Sequence, residues 1–185
     1  MEEYLESIVQ RYNRIVGIDD MKISIEYFRC TSTIAFKICG IDDDHGRRML
    51  ERGHAIYQKN DRVYRSISFN FFSVCHLRLM FLLNSKYGIS PSHATKMASA
   101  ILAPIGLEIA SVILKQEDSI LFCSLYRHKL GYFVVEYGDD CNDNDAWDEA
   151  NLIINISYLF RFIGRHIFIS DAERPGVWYM KLNKN

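Results

Sequence analysis

Long apolar runs are missing from this sequence, and none reaches the length that a helix needs to cross a bilayer. The first residues, MEEYLESIVQRYNRIVG, are acidic and amphipathic, whereas a secretory signal peptide is basic and then apolar. We therefore expect no association with a membrane, and we predict a cytoplasmic location.

Paired cysteines and spaced catalytic motifs are missing as well. The five cysteines are an odd number without a CxxC pair, which argues against a disulfide framework and against a structural zinc site. The six histidines never adopt HExxH spacing, and the sequence has no Gly-rich phosphate loop and no GxSxG motif. We expect no metal, no organic cofactor and no enzymatic activity.

An acidic segment, YGDDCNDNDAWDEA at 137–150, invites the interpretation of a calcium site. An EF-hand loop beginning at Asp139 would have Asn144 where glycine is required and Ala150 where the bidentate glutamate belongs. The helix expected to follow explains the acidic side chains better, because negative charge stabilises a helix amino terminus.

The sequence does contain enough apolar material for a core. Its 185 residues are 49% hydrophobic and 24% charged, which is typical of a globular protein with one sizeable core or two small ones. The formal net charge of −1 hides an asymmetry: residues 29–103 carry 11 Lys and Arg against 5 Asp and Glu, whereas the flanking segments are net acidic. The basic charge of residues 29–103 favours a polyanionic partner that contacts only this segment.

Three elements are predicted before the basic middle helix. Residues 3–16 carry apolar side chains at helical spacing and predict an amphipathic helix. The alternation in MKISIEYF favours a short strand. TSTIAFKICG predicts a short helix with Thr31 or Ser32 as its N-cap and Gly40 as its end.

The stretch GIDDDHGRRMLERG at 40–53 predicts the next helix. Asp42 or Asp43 suits the N-cap, and the neighbouring acidic side chains suit the positive end of the helix. Met49 and Leu50 are the apolar anchors. Four basic side chains are then expected to face mostly outward, namely His45, Arg47, Arg48 and Arg52.

Turn and helix signals continue to residue 104. The sequence HAIYQKNDRVYRSISF alternates apolar residues around the turn KND and predicts a hairpin. FNFFSVCHLRLMFLLNSKYG is apolar nearly all round and predicts a buried helix ended by Gly88, with His76 as a hydrogen-bonded core residue. A further helix is expected to begin with Ser90 as N-cap and Pro91 as its first residue.

The remaining sequence predicts a small α+β unit after a connecting helix. SILFCSLY and GYFVVEY are expected to pair as strands, DAWDEANLIINISYLFRFIG to form a long helix, and HIFIS and VWYMKL to add two strands. The predicted fold class is α+β, with an amino-terminal domain at 1–104 and an α+β carboxy-terminal domain at 105–185.

The element order in the middle of the chain is that of a winged helix-turn-helix, whose second helix enters the DNA major groove. The segments TIAFKICGIDDDHGRRMLERGHAI, VYRSIS and LRLMFLLNSKYGISPSHATKMASAI resemble the DNA-binding head of the MerR family. The resemblance covers residues 28–103. It implies a recognition helix at 42–52 and a wing at 54–67.

The resemblance also implies which residues contact DNA. Arg47 and Arg48 would lie on the recognition helix, with His45 near its start. Tyr64 and Arg65 would correspond to the pair of wing residues that binds phosphates. Arginine suits both guanine edges and phosphates. The predicted DNA-binding residues are His45, Arg47, Arg48, Arg52, Lys59, Arg62, Tyr64 and Arg65.

The sequence thus predicts a transcriptional regulator of bacterial or prophage type that binds duplex DNA. Residues 105–117 are too short for the dimer helix of MerR proteins, so a homodimer would form through the amino-terminal helix or the carboxy-terminal domain. That domain is also the expected place for a small-molecule or protein effector. The alternative is a protein-interaction module that docks an acidic partner on the same surface without binding DNA. An enzyme or ligand sensor built on the carboxy-terminal domain is a third hypothesis.

Overall fold

The computed structural model describes residues 25–56, 58–59, 67–116, 118–127, 133–139, 152–170 and 178–180. Its helices are α1 (Ser32–Cys39), α2 (Asp43–Glu51), α3 (Phe71–Tyr87), α4 (Pro91–Leu102), α5 (Leu107–Lys115) and α6 (Ile156–Ile167). Its strands are β1 (Cys30–Thr31), β2 (Gln58–Lys59), β3 (Ile67–Phe69), β4 (Phe122–Arg127), β5 (Phe133–Gly138), β6 (Leu152–Asn155), β7 (Phe168–Ser170) and β8 (Trp178–Met180). The α+β fold class is confirmed. The predicted helix at 3–16 and most of the acidic segment at 137–150 lie outside the described residues.

A tight turn joins α1 to α2. The Thr31 hydroxyl accepts a hydrogen bond from the N–H of Ile34 at 3.5 Å and caps α1, as the sequence predicts. The helix ends at Gly40, whose φ is +64°, and the N–H of Ile41 donates to the Phe36 carbonyl at 2.9 Å. A left-handed residue at a helix end turns the chain sharply. The turn allows α2 to pack on α1.

A small antiparallel sheet joins the segment before α1 to the segment after α2. Its strand order is β1–β3–β2, with Cys30 opposite Phe69 and Gln58 opposite Ser68. The pairing of β2 with β3 agrees with the predicted hairpin, but its turn does not begin at Lys59 as predicted, because Lys59 is a strand residue opposite Ile67. Residues 60–66 lie outside the described part of the chain. The winged helix-turn-helix assignment stays a prediction.

The long helix α3 is the centre of the core. It is buried on nearly every side, as its apolar sequence predicts, and α4 packs along it. The Asn70 side chain accepts from the N–H of Ser73 at 2.8 Å at its start, and Gly88 ends it with φ +67°. His76 is buried, with its Nε2 3.2 Å from the Thr95 carbonyl oxygen and 3.1 Å from the Ser99 hydroxyl. Its Nδ1 has no hydrogen-bond partner in the described part of the chain.

The carboxy-terminal strands form two further sheets. The strand order in the larger one is β5–β4–β6, antiparallel throughout, with Phe122 opposite both Gly138 and Asn155. β7 pairs with β8 in a two-stranded sheet. The pairing of β4 with β5 and the strand character of β7 and β8 confirm the sequence predictions.

Two predictions of local structure are wrong. Residues 25–27 are helical rather than extended, because Ile25 and Phe28, three residues apart, are buried while Tyr27 is 69% exposed. The single long helix predicted over 145–164 is interrupted, because residues 152–155 form β6 and pair with β4, and α6 begins at Ile156. Short apolar runs do not distinguish a strand from a helix by themselves.

Residues on both sides of position 104 belong to one hydrophobic core. The Phe160 ring of α6 lies 5.5 Å from that of Phe71 and 6.1 Å from that of Phe72, between ring centroids. The Tyr137 hydroxyl donates to the Ile101 carbonyl. These contacts tie the carboxy-terminal elements to α3 and α4. The division into domains at 104 stays a prediction.

Arg78 of α3 connects the turn after α1 with α6. Its Nη1 donates to the carbonyl oxygen of Cys39 at 2.6 Å, and its guanidinium carbon lies 4.7 Å from the centroid of the Phe162 ring. The second contact has the geometry of a cation–π interaction. The side chain is half-buried and acts as an internal connector.

Candidate functional site

The acidic half of the stretch at 40–53 starts α2. Asp42 is the N-cap, and its Oδ1 accepts hydrogen bonds from the N–H groups of Asp44 at 3.0 Å and His45 at 3.3 Å. Asp43 and Asp44 occupy the first turn, where negative charge is favourable. The predicted N-cap is confirmed, and the aspartates have a structural explanation.

The basic half of the stretch lies on the surface of α2. Gly46 and Met49 are buried and form the inner side of the helix. The exposed side chains that follow the first turn include those of Arg47, Arg48 and Arg52. The sequence predicts this exposure for all three arginines, and it is confirmed.

His45 differs from the three arginines. Its side chain is half-buried, and its ring meets the Phe81 ring of α3 edge-on at a centroid distance of 5.7 Å. Helical spacing explains the difference, because His45 lies four residues before the buried Met49 and shares its face. The prediction that this imidazole faces mostly outward is therefore corrected. Its contact with DNA stays a prediction.

The predicted wing residues are only partly described. Lys59 belongs to β2 and pairs with Ile67 of β3. Arg62, Tyr64 and Arg65 lie outside the described residues. Their contacts with phosphates remain predictions from the resemblance and from the hairpin pattern.

His54, which the sequence patterns did not single out, is brought to this surface by the end of α2. Gly53 follows the helix with φ +70°, the N–H of His54 donates to the Met49 carbonyl at 2.9 Å, and the N–H of Gly53 donates to the Leu50 carbonyl at 3.0 Å. This pair of bonds is a Schellman motif, which folds the chain back over the last turn. The Thr95 hydroxyl then donates to the His54 carbonyl at 3.1 Å. Gly53 after the last arginine was the available sequence signal.

A cavity of about 180 Å³ lies where α2, α3 and the start of α4 meet. None of its eight described lining residues carries a carboxylate, while two carry guanidinium groups and two carry imidazoles. Arg47 does not line it. The lining residues are His45, Arg48, Met49, Arg52, His54, Met80, Asn84 and Pro91.

Helical spacing selects the α2 residues that line the cavity. His45, Arg48, Met49 and Arg52 are separated by three, one and three residues and therefore share one face of the helix. Arg47 falls outside this set. The exposed arginines thus divide into two that reach the cavity and one that does not.

The cysteines offer no reactive centre in the described part of the chain. Cys30, Cys39, Cys75 and Cys123 are free and buried. Burial raises the pKa of the Cys30 and Cys123 thiols to about 12, and it raises the pKa of Cys39 and Cys75 as well. A thiol held in its protonated form is a poor nucleophile and a poor metal ligand. No group of three or more His, Cys, Asp or Glu residues among the described ones could hold a metal ion.

Comparisons with known proteins add no functional assignment. No protein-family model matches the chain, and no curated protein matches it significantly.

No single described helix is long and apolar enough to span a membrane. Among the described helices, only α4 and α5 taken together reach the required length and apolar composition, and the two are bent by 84°.

Proposed function

We propose that this protein is a transcriptional regulator that binds duplex DNA sequence-specifically, with α2 as the recognition helix of a winged helix-turn-helix. The observation that carries the proposal is the exposed basic side of α2 directly after the tight turn at Gly40. An α-helix fits the major groove of B-DNA, and a helix that follows such a turn is the one that enters it in this motif.

The charges of α2 suit this role. A guanidinium group donates two parallel hydrogen bonds to the O6 and N7 acceptors of guanine, and it also bridges phosphate oxygens. Arg47, Arg48 and Arg52 place three such groups on nine helical residues and the residue after them. The excess of basic over acidic residues in 29–103 extends the attraction beyond the helix.

The β2–β3 pair supports the second half of the motif. Antiparallel strands follow α2 directly, as a wing does in this class of proteins. We assign the phosphate contacts of this wing to Lys59, Arg62, Tyr64 and Arg65. Such contacts position a protein on the duplex without reading the sequence.

The regulator would act as a homodimer, because one recognition helix reads only a half-site. The amphipathic helix predicted at 3–16 or the carboxy-terminal elements would supply the interface. Sedimentation at micromolar concentration tests this, and a strict monomer contradicts it. Ile8→Asp with Tyr12→Asp yields monomers if the first helix carries the interface.

Titrations on a preferred and a random duplex over a salt series test DNA binding. Arg48→Ala is expected to cost about 1–3 kcal/mol on the preferred duplex and to relax base preference at one position. Arg65→Ala is expected to weaken all sequences equally and to make the salt slope shallower by about one unit. Arg165→Ala, which removes an equal charge from α6, is the control and should bind as the parent does.

One outcome would remove the proposal. If Arg48→Ala and Arg65→Ala bind both duplexes like the parent at every salt concentration, α2 does not contact DNA. The basic surface would then serve as a docking site for an acidic protein partner, since such a surface need not bind DNA at all.

A further inference from the structure

The described residues that line the cavity between α2, α3 and α4 carry positive charge and no acidic side chain. Arg48 and Arg52 reach it from α2, His45 faces it beside the Phe81 ring, and His54 is folded over it by the Schellman turn. Two permanent positive charges beside two imidazole rings favour an anion, because no described lining residue neutralises these charges.

The start of α4 adds to this field. Pro91, the first residue of α4, lines the cavity and carries no N–H. The Ser90 hydroxyl lies 2.8 Å from Nδ1 of His93 and makes no capping bond to the helix. The positive end of the helix dipole therefore lies at the cavity edge without a capping bond from Ser90.

The size and floor of the cavity limit what it can hold. Met49 and Met80 are almost fully buried and give it an apolar floor. Its volume of about 180 Å³ slightly exceeds the roughly 150 Å³ of a cavity that holds benzene. A phosphate group with a small substituent fits this space.

We propose that this cavity binds a single phosphate group, with Arg52 as its charged ligand, Arg48 as a second charged ligand when no duplex occupies α2, and His45 and His54 as further hydrogen-bonding groups. The guanidinium group of an arginine donates two parallel hydrogen bonds to two phosphate oxygens. These charge-assisted hydrogen bonds are stronger than those of neutral donors. The phosphate comes either from a small phosphate monoester or from the backbone of bound DNA. Only the second source depends on the proposed function.

Calorimetric titration of the full chain with inorganic phosphate, at constant ionic strength against chloride, tests the free ligand. We expect saturable binding whose Kd rises at least tenfold in Arg48→Gln with Arg52→Gln and in His54→Ala. Arg47→Gln is the matched control, because Arg47 lies on α2 outside the cavity lining, and its Kd should change less than twofold. Circular dichroism confirms that the variants fold, and Arg52→Lys, which keeps the charge but loses the fork, should give an intermediate Kd.

Duplex titrations with the same variants identify the source of the phosphate. Binding of free phosphate that does not compete with the duplex assigns the cavity to a small phosphate monoester, whereas competition between the two assigns it to the DNA backbone. The cavity is also assigned to the DNA backbone if Arg52→Gln and His54→Ala bind every duplex more weakly and free phosphate does not bind measurably.

Two other outcomes separate this inference from the proposed function. Phosphate binding by a chain that binds no duplex keeps the cavity assignment and removes the DNA proposal. The cavity assignment is overturned, and the DNA proposal is kept, if free phosphate does not bind and the duplex binds Arg52→Gln and His54→Ala as it binds the parent.

Discussion

Gly46 of α2 lies directly against the ring of Phe36 in α1, so that a Cβ atom at position 46 would be 2.6 Å from two ring carbons. Glycine within a helix costs about 1 kcal/mol relative to alanine. The close approach of the two helices explains why the sequence accepts this cost. The angle at which α2 leaves α1 therefore depends on the absence of a side chain at one position.

Gly46→Ala is expected to lower the free energy of unfolding by about 1–3 kcal/mol, because overpacking outweighs the gain in helix propensity. Urea denaturation measures this change. In a Phe36→Leu background the loss should be smaller, and the double-mutant cycle gives the interaction between the two positions. An alanine variant as stable as the parent would contradict the close approach.

Asp42→Ala is expected to lower the free energy of unfolding by about 0.5–2 kcal/mol, because the N–H groups of Asp44 and His45 lose their acceptor. Asp42→Asn is the control, since asparagine caps a helix about as well as aspartate does. Urea midpoints of both variants decide the matter. An equal loss in both would mean that the negative charge, rather than the cap, stabilises α2.

Phe160→Ala is expected to lower the free energy of unfolding by about 3–5 kcal/mol, because its fully buried ring packs on Phe71 and Phe72 of α3. Amide hydrogen exchange should become faster in α3 as well as in α6. Tyr158→Ala, at a side chain that is 66% exposed, serves as the control and should change stability by less than about 0.5 kcal/mol. Protection lost only in the carboxy-terminal part would show that the two predicted domains are independent.

The stability of the protein is expected to fall as the pH drops below about 6.5. Burial lowers the pKa of His76 below its ordinary value of 6.5. The unfolded chain therefore binds the proton first, and the folded state loses stability as the pH falls from 6.5 through the lowered pKa. Unfolding free energies of the parent and His76→Gln, measured between pH 7.5 and 5, test this. The variant should show a shallower dependence, and parallel curves would contradict the prediction.

The sequence predicted those features that depend on neighbouring residues. The caps at Thr31 and Asp42 follow local rules, and Gly40 and Gly88 end their helices because each adopts a positive φ. The exposure of the three α2 arginines follows from helical spacing. Local signals were sufficient in these places.

The cavity could not be predicted in the same way. It needs α2, α3 and α4 at a fixed mutual distance, and His54 enters it only because two backbone hydrogen bonds fold the chain back. The strand at 152–155 was missed for a related reason, since its pairing with β4 involves residues about 30 positions earlier. Contacts between distant segments decide both features.

Arg78 has a consequence for any measurement of binding to a polyanion. Its guanidinium is engaged by the Cys39 carbonyl and the Phe162 ring, although it is one of the 11 basic residues counted in 29–103. An inward-turned cation displaces no condensed counterions from a phosphate chain, and each phosphate neutralised contributes about −0.9 to the slope of log K against log salt. Counting all 11 basic residues of 29–103 as phosphate contacts therefore overestimates the salt dependence of binding. The largest number of phosphate contacts that this segment can make is at least one lower.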